Sequence, residues 1–205
     1  MSLSPYFPSI IGISGDFESG KDAVGSILVR TYGYTRVAFG DFVRDACFDL
    51  VNGRSCPDDF PDEIQKIIFE HRRNTCAVFA KPTTPPMRRL LQFVGTDYYR
   101  ELDQHHWVNL FDNYARPIFR NGGRVVAPDM RFDNEGAYVV SQQGSEWQVV
   151  RPGLAAAEHR DHISEHSYTR VPAVILRNDG PLGQLETRVI EALQTTQDLH
   201  LQAAA

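Results

Sequence analysis

Cysteine, basic charge and long apolar runs are all in short supply in this chain, and each shortage narrows what it can be. Three cysteines, Cys47, Cys56 and Cys76, are too few and too irregularly spaced for a disulfide framework or a zinc site, so they read as free thiols. A net charge of -5 and a pI near 5.8 argue against a nucleic-acid polymer as the main partner, since that calls for a basic face. A small anionic ligand stays compatible. No apolar run approaches the roughly 20 residues of a membrane helix, and no basic region followed by a signal-peptide core opens the chain. The expectation is a cytoplasmic protein with neither a membrane nor a nucleic-acid polymer as partner. Internal repeats and low-complexity linkers are missing too. The 205 residues, 42% hydrophobic and 23% charged, therefore read as one globular domain with insertions. Lysine is scarcest of the charged residues, at Lys21, Lys66 and Lys81 against 18 arginines. That ratio fits bidentate phosphate binding and fits a codon bias equally well, so only arginines at particular positions carry an argument.

One of the three lysines stands in the most informative stretch. Pro8 to Asp22 reads PSIIGISGDFESGKD: an apolar segment, then Gly15, Asp16, Phe17, Glu18, Ser19, Gly20 and Lys21 in the GxxxxGK spacing of a P-loop. A short buried strand would deliver the chain to Gly15, and the glycines would let successive N–H groups face one anion. The helix starting near Lys21 adds its positive end, and Lys21 would place a point charge between the β- and γ-phosphates of a bound nucleotide. Asp22 follows, where most P-loops carry a Ser or Thr hydroxyl for Mg²⁺. A carboxylate at Asp22 suits a site in which a cation is present. The plainer alternative is a Gly-rich turn that only joins a strand to a helix.

The rest of the chain alternates apolar strands with helical periodicity, the pattern of an α/β fold built on a parallel sheet. Ala23 to Thr31 continues the first helix, which Gly33 closes, and Thr35 to Phe39 reads as a second strand. Asp41 and Arg44 then fall at a strand's carboxyl end, where ligands collect in such sheets; a helix cap and a solvated charge account for them equally well. Asp62 to Ala80 reads as one amphipathic helix, and KPTTPP breaks the chain before Met87 to Trp107. Arg88 and Gln92, four apart on a helix, share a face, with Thr96 and Arg100 each a turn further on. Such a ridge could bind a phosphate and read a base edge, or could be a solvated face opposite Leu90, Leu91, Phe93 and Val94. Trp107 could stack on a ring or belong to the core. A third strand, Arg124 to Pro128, ends at Asp129, the usual place for an acid that organises Mg²⁺ in a P-loop protein. Arg131 is close enough to reach a phosphate, whereas Asp129 and Asn134 could also simply cap the helix Glu135 to Gln143.

A fourth strand, Trp147 to Val150, leaves Arg151 at its carboxyl end. Residues 152–170 read as a lid, with Arg151 and Arg160 to neutralise charge on a transferring group. Its His159, His162 and His166 invite a metal reading, which the lack of any accompanying cysteine weighs against. A last strand, Ala173 to Leu176, leads through Asn178, Asp179 and Gly180 into a helix from Pro181 to about Leu193. The tail 198–205 is expected to fray.

GDFESGKD, RRLLQFVGTDYYR, APDMRFDNE, RDHISEH and LRNDGPLGQLETRV together resemble the deoxynucleoside monophosphate kinases of tailed bacteriophages. That family has the P-loop nucleotide kinase fold, a parallel sheet flanked by helices with acceptor-binding and lid insertions. The resemblance implies a single kinase domain over residues 1–205 with its acceptor-binding region at about 40–120, working in the host cytoplasm if phage-encoded. It implies that Gly15 to Lys21 hold the phosphates of ATP with Asp22 and Ala23 beside them, that Asn178 and Gly180 lie near the donor base, and that Asp22 and Asp129 arrange Mg²⁺. It implies that Asp41, Arg44, Arg88, Gln92, Thr96, Arg100 and Trp107 face the deoxynucleoside monophosphate, with Lys21, Asp129, Arg131 and Arg151 at the reacting phosphates. Ala23 departs from the Thr usual there. A homodimer is compatible with the sequence, which carries no clear mark of one. Three other readings stay open: a kinase of dephospho-coenzyme A or of a phosphorylated isoprenoid precursor (the phosphomevalonate type), a switch protein that binds ATP and hydrolyses it slowly, and, disfavoured by the acidic pI, a nucleic-acid-binding protein.

Overall fold

The computed structural model describes residues 7–53, 56–81, 83–153 and 167–203. They form two compact units, one built from the chain up to Ala38 and from Asp112 onward, the other from Phe39–Phe111. The first holds a five-stranded parallel sheet in the order β2-β3-β1-β4-β5. Its strands are β1 (Ile10–Ser14), β2 (Tyr34–Arg36), β3 (Arg124–Ala127), β4 (Ser145–Val150) and β5 (Val174–Arg177). In β1 every residue is buried, as a central parallel strand covered on both faces must be.

The two-residue period of a strand sorts the core. Ile11 and Ile13 join Val126, Trp147 and Val149 in a cluster with Val24, Ile27 and Leu28 of α1 (Lys21–Tyr32) and with Leu185, Val189 and Leu193 of α9 (Leu182–Ala203). On the opposite face Gly12 lies against Met130 and against Val139 of α8 (Asp133–Ser141), which closes at Gln142. Because β1 lies between β3 and β4, and the chain crosses from one side of it to the other, β1 marks the switch point of the sheet. The carboxyl end of such a strand opens onto the crevice where ligands bind in α/β sheets.

The second unit is helical, with α2 (Phe39–Val51), α3 (Asp62–Glu70), α4 (Cys76–Phe79), α5 (Pro85–Gln92), a π-helical segment Phe93–Tyr98, α6 (Tyr99–Leu102) and the start of α7 (His106–Arg120). Its own core gathers Cys47, Leu50, Ile64, Val78, Met87, Leu90, Val94 and Trp107. Burial pushes the Cys47 thiol up to about 12, which leaves it inert.

Several expected boundaries shift. The second strand is shorter than Thr35–Phe39, because Phe39, Gly40 and Asp41 already belong to the first turn of α2, where Phe39 stacks on Phe111 at 4.3 Å. The helix expected over Asp62–Ala80 breaks after Glu70, where Arg73 takes a positive φ of 67° and donates its N–H to the Val51 carbonyl. Met87–Trp107 is not one helix: the π-segment interrupts it, and extended backbone at Asp103 ends it. The last helix runs ten residues further than expected, through Ala203, so the tail is helical over Asp198–Ala203.

Candidate active site

At the end of β1 the backbone of Gly15 takes φ 141°, Glu18 60° and Gly20 105°. These values curl the chain into a loop from which α1 begins at Lys21. A side chain on Gly15 would place its Cβ 2.3 Å from the Val149 carbonyl oxygen of β4, so the loop lies tight against the next strand. The Lys21 ammonium donates to the carbonyls of Gly15 and Asp16, each at 2.6 Å, which sets a fixed positive charge at the mouth of the loop. Ser19 is 1% exposed, and its Oγ meets no hydrogen-bond partner among the described residues. A buried, unpartnered hydroxyl in this loop fits a nucleotide phosphate, as does the helix N-terminus that follows it.

Residues from the neighbouring strand ends complete this half of the site. The Met130 N–H donates to the Ile13 carbonyl at 3.0 Å and holds the chain after β3 alongside the end of β1, so that Asp129 and Gly15 leave the sheet as neighbours. Sequence reasoning missed Glu135. It is 2% exposed, and its carboxylate accepts the N–H groups of Arg131 at 2.7 Å and Phe132 at 3.1 Å, fixing the turn that carries Asp129 and Arg131. The available signal was a Glu at the third position of a helix, where it can reach back to amides left over at the N-terminus. Asn178 was expected beside the donor base; its side-chain amide donates to the Ser19 carbonyl at 2.8 Å, while its own N–H bonds the Val150 carbonyl at 2.8 Å. It braces the phosphate loop from β5. Gly180 is exposed two residues further on, and Arg151 is exposed at the end of β4.

A second polar cluster was also missed. The buried Glu146 of β4 accepts Arg170 Nε at 2.5 Å, Arg170 Nη2 at 3.1 Å and the Tyr168 hydroxyl at 2.9 Å. Asp133 accepts Thr169 N at 2.7 Å, Thr169 Oγ1 at 2.5 Å and Arg170 N at 3.2 Å, and these bonds, the Thr169 hydroxyl foremost, hold its carboxyl below the usual range. Residues 167–170 are thereby tied to α8 and β4. Most of the expected lid, with Arg160, His159, His162 and His166, lies outside the described residues.

In the helical unit, Arg88, Gln92, Thr96 and Arg100 are all half-buried. The adjacent arginines differ in a way their letters do not show. Arg89 pairs with Asp97 at 2.9 Å and lies 5.8 Å from the Phe93 ring centre, whereas no side-chain partner holds Arg88 among the described residues. Arg44 was expected to bind substrate, yet one of its guanidinium nitrogens donates to the Val78 carbonyl and ties α2 to α4. Trp107 is a correction. It is 1% exposed, packs edge-on to Tyr99 and His106, and donates its indole N–H to the Gly95 carbonyl at 2.8 Å, so its ring faces are not available to a ligand.

Comparison with known proteins decides the family. The sequence model for deoxynucleotide monophosphate kinase matches residues 50–189, about two-thirds of the chain. The chain belongs to the deoxynucleotide monophosphate kinase family. A curated relative, a putative deoxynucleotide monophosphate kinase of Acanthamoeba polyphaga mimivirus, is 26% identical over 203 residues, covering 93% of this chain and 99% of the relative. Among solved structures, a dephospho-CoA kinase from Campylobacter jejuni aligns over 93% of this chain and 98% of its own at 10% identity and a TM-score of 0.39. Membership in the deoxynucleotide monophosphate kinase family makes the protein a nucleotide kinase, a transferase with a nucleotide and ATP as its substrates. No helix among the described residues is long and apolar enough to cross a membrane.

Proposed function

We propose that this protein transfers the γ-phosphoryl of ATP to the 5′-phosphate of a deoxynucleoside monophosphate, giving the diphosphate. The observation that carries the reading is the phosphate loop at the switch point of the sheet, in a chain that belongs to this family. Gly15 to Gly20 wrap the donor phosphates with backbone N–H groups, and Lys21 neutralises charge between the β and γ positions. Asn178 keeps the loop in shape through Ser19. Arg88, Gln92, Thr96 and Arg100, with Asp41, hold the acceptor; they belong to Phe39–Phe111, a span close to the 40–120 region expected for that task.

An acceptor phosphate oxygen attacks the γ-phosphorus in line as the bond to the β-phosphate oxygen breaks, and ADP leaves with that oxygen's electron pair. No proton transfer and no covalent enzyme intermediate is needed, so the protein works by positioning and charge neutralisation. Arg131, on the turn fixed by Glu135, and Arg151, at the end of β4, neutralise the equatorial oxygens. The residues fit a magnesium ion held mainly by phosphate oxygens and water: the described residues contain no group of three acidic, His or Cys ligands, and Asp22 and Asp129 would supply one or two carboxylates. When bound, that ion withdraws charge from the β- and γ-phosphates.

A coupled ADP-release assay tests this, with ATP and Mg²⁺ and each deoxynucleoside and ribonucleoside monophosphate offered separately. Diphosphate formation from deoxynucleotides is the expected result. ATP hydrolysis that ignores the acceptor would favour an ATP-driven switch, and turnover only with another phosphorylated metabolite would move the protein to a different kinase class.

A further inference from the structure

Arg88, Gln92, Thr96 and Arg100 lie four residues apart, and a straight α-helix does not keep such a set in line. Each step of four advances about 40° around the axis, so three steps leave Arg100 about 120° from Arg88. The chain does not form a straight α-helix there. Phe93–Tyr98 is π-helical: it follows Gln92, contains Thr96 and precedes Arg100. A π-turn amounts to one extra residue in the helix and takes back about 100°, which brings Arg100 to within about 20° of Arg88. We propose that this π-turn is the device that aligns the four side chains into one acceptor-binding ridge, and that Trp107 and Gly95 hold it in place. The proposal rests on the acceptor assignment made above.

Three contacts within the unit support it. A Cβ on Gly95 would come within 3.0 Å of Val43 Cγ1, so α2 approaches the helix closely only because position 95 has no side chain. A wider turn also carries carbonyls away from their α-helical amides. The Gly95 carbonyl takes the indole N–H of Trp107 at 2.8 Å, and Trp107 is itself pinned edge-on to Tyr99 at 5.4 Å and to His106 at 4.6 Å. Finally, Arg89 before the turn bonds Asp97 within it at 2.9 Å, a strap across the wide stretch that leaves Arg88 as the arginine facing the ridge. π-turns are rare and recur at functional sites. Trp107 is thus a positioning residue, although it touches no ligand.

The test removes the indole N–H and keeps an aromatic ring. Trp107→Phe is expected to raise the acceptor KM about threefold to tenfold, the effect of losing one hydrogen bond, with the ATP KM and kcat within twofold. In double-mutant cycles the loss should be non-additive with Arg100→Ala, beyond the π-turn, and additive with Arg88→Ala, before it. An unchanged acceptor KM, equal losses for ATP and acceptor, or simple additivity with Arg100→Ala overturns the proposal. If Trp107→Phe does not fold, a benzothienylalanine at position 107 deletes only the N–H and carries the same outcomes. Arg88→Ala by itself separates the two levels: no change in its acceptor KM removes the acceptor assignment, whereas a raised KM there with none in Trp107→Phe removes only the role of the π-turn.

Discussion

Gly15 tolerates no side chain, because its φ of 141° is disfavoured for any L residue and a Cβ would meet the Val149 carbonyl at 2.3 Å. Gly15→Ala should therefore lower the unfolding free energy by about 1–3 kcal/mol, read by urea titration, and weaken ATP binding in calorimetry. Lys21→Ala removes the charge at the mouth of the loop, and loss of turnover by at least two orders of magnitude is the expected result; near-normal transfer would exclude the loop as the donor site. Asn178→Ala deletes the brace on the Ser19 carbonyl. It should raise the KM for ATP severalfold and leave that for the acceptor unchanged, and a rise in both would contradict the bracing role. The spacing of Gly15, Gly20 and Lys21 exposed the loop in the sequence, because a phosphate nest needs its glycines and its lysine at set intervals along one local stretch. Asn178 lies 159 residues from Ser19, and no local pattern marks an amide that acts at that distance.

Elements that depend on one local period were legible, and those that depend on a departure from it were not. The apolar periodicity of α1, with Gly33 closing it in the left-handed region, is written in consecutive letters. The π-turn is not, because what permits it is Val43 on another helix and the Trp107 indole, twelve residues past Gly95. Likewise the break after Glu70 reflects an amide of Arg73 bonded back to Val51. The stretch 167–170 is held to α8 and β4 by charge, which carries a pH signature. Asp133's folded-state pKa is depressed, so its contribution is present above the ordinary carboxylate pKa and is lost as the pH falls through the lower, folded value. Below about pH 4 the wild-type thermal midpoint should therefore drop more steeply than that of Asp133→Asn; parallel curves would show that the bonds from Thr169 add nothing. Glu146→Ala leaves the partly buried Arg170 without its carboxylate and should cost about 2 kcal/mol or more in urea unfolding.

Each of the two units has its own hydrophobic core, one of strands with α1 and α9, the other mainly helical. Neither core encloses a resident metal cluster among the described residues. Removing magnesium with a chelator should thus stop phosphoryl transfer while leaving the thermal midpoint of the nucleotide-free protein where it was, and a lowered midpoint would point to a structural ion. The sequence by itself determined the α/β class, the phosphate loop and the family, since strand and helix periods, a seven-residue motif and short sequence blocks are all local in the chain. Only the tertiary structure decided which polar side chains are taken up by bonds within the protein. Trp107 is buried, Arg44 bonds the Val78 carbonyl, and Glu135 and Asn178 brace the backbone past the strand ends. For Trp107, Arg44 and Asn178 that choice is made by hydrogen bonds to groups 12, 34 and 159 residues away, and such contacts leave no trace in residue type or spacing, whereas Glu135 reaches only four residues back and carries the local mark of a helix-start acid.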